Sequence, residues 1–130
     1  MAIEPSSTQP PDSEFCLVLV TVPNETAAKS IAHSILNAEL AACINFFGVE
    51  SCYRWENKIN QELEVQLMIK TQSHLFPALA AKLTAIHPYD IPEIIAIPIV
   101  AGATPYLNWI RTSTTKRDPV ANPSPSAIPG

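Results

Sequence analysis

Eight residues constrain this chain more than any others. FCLVLVTV, from Phe15 to Val22, is an almost unbroken run of aliphatic and β-branched side chains. Such a run reads as a strand buried on both faces, so it belongs inside a sheet that is covered on each side. Pro23 ends it, and Asn24 or Thr26 can cap the next element. Ala27, Ala28, Ile31, Ala32, Ile35 and Leu36 then recur at helical spacing and predict a helix with one apolar stripe.

AACINFF, from Ala41 to Phe47, reads as a second strand, and Gly48 breaks the pattern. Beyond it, Leu63, Val65, Leu67 and Ile69 alternate with Glu62, Glu64, Gln66 and Lys70. That period of two predicts a half-buried strand. Cys52–Glu56 reads as its hairpin partner, with the turn near Asn57–Asn60. Ser73 can cap a second helix whose stripe is Leu75, Phe76, Leu79, Ala80, Leu83 and Ile86. Pro77 falls in or near its first turn, where a missing N–H costs least. The helix ends near His87, because Pro88 disfavours helical geometry in the residue before it. EIIAIPIV, Glu93 to Val100, predicts the next strand, and Pro98 within it argues for an edge or a bulge. Thr104-Pro105 opens a short amphipathic helix carrying Tyr106, Leu107, Trp109 and Ile110.

The order strand, helix, strand, strand, helix, strand, short helix is that of an α+β, ferredoxin-like split βαβ sandwich. Two helices are expected on one face of a four-stranded antiparallel sheet, and a second subunit can cover the other. At 130 residues the chain suggests one domain, spanning 14–112. Residues 1–13 and 113–130 mix Pro, Ser, Thr and Asn without hydrophobic periodicity and read as disordered tails. Charged residues are only 15% against 47% hydrophobic, which argues for apolar surface buried against another copy.

The same totals exclude functions. A net charge of -4 and no clustered Lys/Arg argue against a nucleic-acid partner. Cys16, Cys43 and Cys52 form no CxxC pair, and an odd count fits poorly with a disulfide framework. No leader and no membrane-spanning run is visible, so the expectation is a soluble cytoplasmic protein without a membrane partner. The middle strands lack the exposed aromatics of an RNA-recognition module. There is no Gly-rich phosphate loop and no recognisable nucleophile motif.

What remains is a polar and aromatic set. Tyr53, Arg54, Trp55, Glu56 and Lys58 lie around the hairpin, Lys70 ends the long strand, and His87, Tyr89, Asp90 and Glu93 share the segment HPYDIPE. Each has a plain alternative. YRW also serves as cross-strand packing, and Lys70 also marks a strand end. His87 also suits a helix C-terminus, and Asp90 a turn. Cys16 and Cys43 read as buried small hydrophobes. Taken jointly, His87, Asp90 and Glu93 offer one imidazole and two carboxylates, borderline ligands suited to divalent zinc or copper. With Lys70 and Tyr89 the same residues can instead hold a small anion.

These residues carry a resemblance. VTVPNE, AELAACIN, YRWENKI, EVQLMIKT, HPYDIPEII and YLNWI, spread from about Phe15 to Ile110, resemble the CutA family, named for divalent-cation tolerance. The resemblance implies a ferredoxin-like subunit in a tight homotrimer whose hairpin strands pair with those of neighbours. It implies a cytoplasmic bacterial protein with PII-like signalling proteins as architectural relatives, tied to copper and other divalent metals. It places a small-ligand cleft between subunits, lined by Trp55, Lys70, His87, Tyr89 and Glu93, and implies no catalysis. One departure stands out. Many relatives carry a cysteine at the end of the first strand, where this chain has Val20 and Val22, and Cys16 is no equivalent.

The expectation is therefore a non-enzymatic, trimeric metal-binding protein, a sensor or buffer for Cu(II) or another divalent metal. His87 and Glu93 are its metal candidates, and Trp55, Lys70, Tyr89 and Glu93 its ligand-binding candidates. The alternative is a PII-like signalling protein holding a small metabolite in the inter-subunit cleft.

Overall fold

The computed structural model describes residues 13–115. The expected disordered tails fall almost wholly outside them. Along the chain run β1 (Phe15–Val22), α1 (Glu25–Asn37), β2 (Cys43–Trp55), β3 (Lys58–Gln72), α2 (Phe76–Ile86), β4 (Ile95–Ile99) and α3 (Thr104–Ser113). The four strands form one sheet in the order β2-β3-β1-β4, with every neighbouring pair antiparallel. This is the expected α+β split βαβ arrangement. Among the described residues no helix is long and apolar enough to cross a membrane.

The core follows from the periodicities. Cys16, Val18, Val20 and Val22 of β1 and Leu67 and Ile69 of β3 point to one face of the sheet. Ala28, Ile31 and Ile35 of α1 and Phe76, Leu79 and Leu83 of α2 close over that face. Asn24 caps α1 by accepting the Ala27 N–H at 2.8 Å. The other face is covered differently. Leu17, Leu19 and Thr21 are only half-buried, so β1 alternates rather than being buried on both sides. Helix α3 reaches this face at one end, where the Tyr106 ring lies 6.0 Å from Lys70 Nζ. A buried hydrogen bond from Gln72 Nε2 to Thr114 Oγ1 (2.9 Å) and an Arg111–Glu14 ion pair (2.8 Å) dock that helix. The fold thus continues through Thr114, just past the expected boundary.

Three local expectations need correction. Gly48 does not break a strand: it pairs with Val65 inside a continuous β2, and a Cβ there would meet nothing within 4 Å. The glycine is tolerated, not required. The hairpin turn comes earlier than Asn57–Asn60, with Glu56 (φ 52) and Asn57 (φ 63) both left-handed, the conformation of a type I′ turn. Ser73 does not cap α2 but opens a 3-10 turn, and among the described residues its buried Oγ has no hydrogen-bond partner. Pro77 sits in the first turn of α2 as expected, and Pro98 lies on the edge strand β4.

Two features position the site. β1 finds its last partner on β3 at Val22↔Val65, so residues 58–64 of β3 pair with β2 alone. The hairpin therefore projects as a two-stranded arm of roughly 20 Å. The second is how α1 closes. Glu39 is left-handed (φ 58), its N–H bonds the Leu36 carbonyl at 3.0 Å, and the Leu40 N–H bonds the Ile35 carbonyl at 3.2 Å. That pair of bonds is a closure usually built on glycine, and a residue with a Cβ is strained there.

Glu39→Gly is therefore expected to raise the unfolding free energy by about 0.5–1 kcal/mol, while Asn24→Ala lowers it by about 1 kcal/mol. Urea midpoints at unchanged m-value check both. A destabilised Glu39→Gly variant would show that the left-handed glutamate carries no strain.

Candidate functional site

A cleft of about 790 Å³ opens between the arm and the segment from Pro88 to Glu93. Tyr53 and Trp55 of β2 and Glu62 and Glu64 of β3 line it from the arm. Tyr89, Asp90 and Glu93 line it from the opposite wall. Register explains the arm's side. Ser51 pairs with Glu62, Val49 with Glu64 and Tyr53 with Asn60, so these side chains share one face.

The opposite wall is held rigidly. Pro88 and Pro92 restrict its φ angles, and His87 takes the extended geometry that a following proline demands. The His87 ring is buried. Its Nδ1 accepts the Tyr89 N–H at 3.0 Å, and Nε2 lies 2.8 Å from the Thr21 carbonyl oxygen. A carbonyl only accepts, so Nε2 carries the hydrogen and donates it. Tyr89 packs on the imidazole with ring centroids 4.9 Å apart, and its hydroxyl donates to Glu64 at 2.7 Å. Thr21, His87, Tyr89 and Glu64 thus form one chain of contacts that ties the sheet to the loop and the loop to the arm. Across the cleft the Tyr53 hydroxyl donates to Glu62.

Charge in the cleft has one sign. Glu62, Glu64, Asp90 and Glu93 line it, and among the described residues no Lys, Arg or His does. The tyrosines register this field. Burial, then the hydrogen bond and charge of Glu64, push the Tyr89 phenol well above the ordinary tyrosine range. The hydrogen bond to Glu62, followed by burial, raises Tyr53.

The expected site residues separate into three places. Trp55, Tyr89 and Glu93 share the cleft. His87 stands behind its wall, and both ring nitrogens are already engaged by backbone, so no lone pair faces a metal. Lys70 lies elsewhere. Its ammonium donates to Asn45 Oδ1 at 2.6 Å beneath Tyr106, six residues along β3 from Glu64, or about 20 Å. Within one chain, Lys70 and Tyr89 therefore stand too far apart to grip one small anion together. Among the described residues no three His, Cys, Asp or Glu side chains converge tightly enough to enclose a metal ion. The carboxylates suit a divalent cation by charge, but one chain alone builds no closed coordination shell. Glu62 and Glu64 were legible only as the polar half of an alternation. Their part in the cleft depends on the arm's overhang, for which no local signal exists.

Tyr89 gives a test in the alkaline range. Its phenol is raised in the fold, so the stability it contributes is complete below the ordinary tyrosine range near 10 and is lost as pH climbs through the higher folded value. Ultraviolet titration should show a late-ionising tyrosine that disappears in Tyr89→Phe. A wild-type protein whose tyrosines all ionise normally would contradict the Tyr89–Glu64 contact.

Comparison with known proteins agrees with this architecture. The profile of a family described as CutA1 divalent ion tolerance protein matches residues 16–113. The divalent-cation tolerance protein CutA of Thermus thermophilus is 43% identical over 99 residues, covering 75% of this chain and 96% of its own. Protein CutA of Homo sapiens is 47% identical over 96 residues, covering 73% of this chain and 54% of the human one. The crystal structure of CutA1 from Oryza sativa superposes with a TM-score of 0.77 at 44% identity, covering 81% of this chain and 97% of that one. A CutA structure from Archaeoglobus fulgidus, called periplasmic, gives 0.77 at 35% identity, covering 78% and 99%. Another relative, in Arabidopsis thaliana, is called chloroplastic, so family likeness alone assigns no compartment. With the family profile matched over residues 16–113 and relatives more than 40% identical across most of the described body, the chain belongs to the CutA1 divalent ion tolerance family.

Proposed function

We propose that this protein is a non-enzymatic, cytoplasmic, homotrimeric divalent-cation binder that buffers or senses a metal such as Cu(II) through the acidic cleft. The observation that carries this reading is the cleft lining: four carboxylates and, among the described residues, no basic one. Such a lining attracts cations and repels anionic metabolites. Relatives named for divalent-cation tolerance support the same reading.

Roles follow from the geometry. Glu62, Glu64, Asp90 and Glu93 supply oxygen donors, and a second copy or water completes the coordination shell. Tyr53 and Tyr89 fix the two arm carboxylates. His87 positions the wall rather than ligating. The trimer rests on the face that α3 leaves open, where Phe47, Ile95 and Ile97 are 49%, 50% and 43% exposed. Ile95 and Ile97 lie opposite Leu19 and Leu17, so they join one apolar surface.

Metal-stripped protein titrated with Cu(II) in native mass spectrometry is expected to take up copper saturably. The double substitution Glu62→Gln with Glu64→Gln should weaken that uptake by about tenfold or more. Unchanged uptake in that variant would remove the cleft as the metal site. His87→Ala should cost about 1–3 kcal/mol of stability by unpairing buried groups, with any loss of copper following from a loosened wall. Light scattering should return the mass of three chains, reduced in Ile97→Glu. A monomer at micromolar concentration would rule out the trimer.

A further inference from the structure

We infer that His87 is a proton-operated latch: it holds the segment Pro88 to Glu93 closed while its ring is neutral and releases it when the ring takes up a second proton. The inference concerns how this wall is held, and it stands whichever ligand the cleft takes.

The first observation is how little else holds the wall. Among the described residues, 88–93 make no backbone–backbone hydrogen bond. Pro88 and Pro92 have no N–H to give. Among the described residues two hydrogen bonds tie the segment to the rest of the chain, and Tyr89 makes both. Its N–H donates to His87 Nδ1 at 3.0 Å, and its hydroxyl donates to Glu64 Oε2 at 2.7 Å. Ile91 is 74% exposed and adds no anchor, whereas Ile94, just beyond the segment, packs against the core.

The second observation is the state of the ring. Nε2 gives its hydrogen to the Thr21 carbonyl at 2.8 Å, so Nδ1 accepts the Tyr89 N–H only while it carries none. A second proton has only Nδ1 to bind. Two N–H groups then face each other, and the bond between them is lost. The imidazolium keeps its bond to Thr21, which becomes charge-assisted. The ring therefore stays on β1 and Tyr89 leaves. The packing of the two rings and the Tyr89–Glu64 bond go with it. One proton on a buried ring thus frees the wall from both the sheet and the arm. Imidazole is the side chain whose charge changes in the mildly acidic range.

The surroundings name one rival trigger. β1 presents Thr21 to the ring, and α2 presents Leu83, whose carbonyl accepts the His87 N–H at 2.9 Å; neither side chain titrates. Tyr89, Asp90 and Glu93 follow on the segment itself, and Glu64 of β3 stands behind the Tyr89 hydroxyl. Among the described residues no ion pair reaches His87. Protonation of Glu64 would also weaken the hold on Tyr89, so the experiment separates the two groups.

The test is hydrogen exchange at the Tyr89 amide of the full, metal-stripped chain, followed by NMR at about pH 7.5 and about pH 5 and corrected for the intrinsic pH dependence of exchange. Protection is expected at the higher pH, with about a tenfold loss at the lower. His87→Gln keeps an acceptor oxygen and an N–H donor but does not titrate, so its Tyr89 amide should stay protected at both. Glu64→Gln should leave the pH dependence in place. The ring nitrogens of His87 give a second reading in the unaltered protein. Their shifts should pass from the neutral Nε2–H form to the doubly protonated form over the interval in which the Tyr89 amide opens. Protection that does not change across the interval overturns the inference. So does an equal loss in His87→Gln, a loss that Glu64→Gln abolishes, or a ring still neutral after the amide has opened.

Discussion

Everything distinctive about this molecule depends on a mismatch in strand length. β1 stops at Val22 because Pro23 comes next, whereas β2 and β3 continue for several more residue pairs. Without a third strand beside it, the hairpin leaves the body and becomes an arm. The segment that leaves α2 at His87 then runs across the end of β1, and the space between it and the arm is the cleft. The His87–Thr21 hydrogen bond closes this geometry. It anchors the loop at the point where β1 runs out and so fixes how far the wall stands from the arm.

The same contact divides the work among the polar residues. A histidine in a cleft-like segment invites a catalytic or ligating role. Here its two nitrogens are used by backbone, and the ring is a spacer that supports Tyr89. Tyr89 and Tyr53 pass that rigidity to Glu64 and Glu62. The outermost groups are therefore carboxylates with fixed orientation on a wall of aromatic rings. On this fixed orientation rests the cation-binding reading proposed above. Within the chain Lys70 stands apart from the cleft, with Asn45 and Tyr106.

The apolar sheet face is a separate matter. Leu17, Leu19, Ile95 and Ile97 lie side by side, and α3 covers only one end of that surface. The run FCLVLVTV implies cover on both faces, but a single chain supplies it on one.

Much was legible in local pattern because it is locally caused. A period of two marked β3, helical spacing marked α1 and α2, Pro88 ended α2, and Pro98 placed β4 at an edge. Each of these comes from sterics or hydrogen bonding within a few residues. The misreadings came where a neighbour overrides a local cue. Gly48 stays in β2 because Val65 pairs with it, and the hairpin turns at Glu56 and Asn57 because Trp55 pairs with Lys58. By itself the sequence determined the kinds of element, their order and the central position of β1. Only the tertiary structure decided that Trp55 and Tyr89 share a cleft with Glu62 and Glu64 while Lys70 does not. Which residues meet across a space depends on strand register and on where each strand ends relative to its neighbours. Those are properties of long-range pairing that no stretch of residues carries alone.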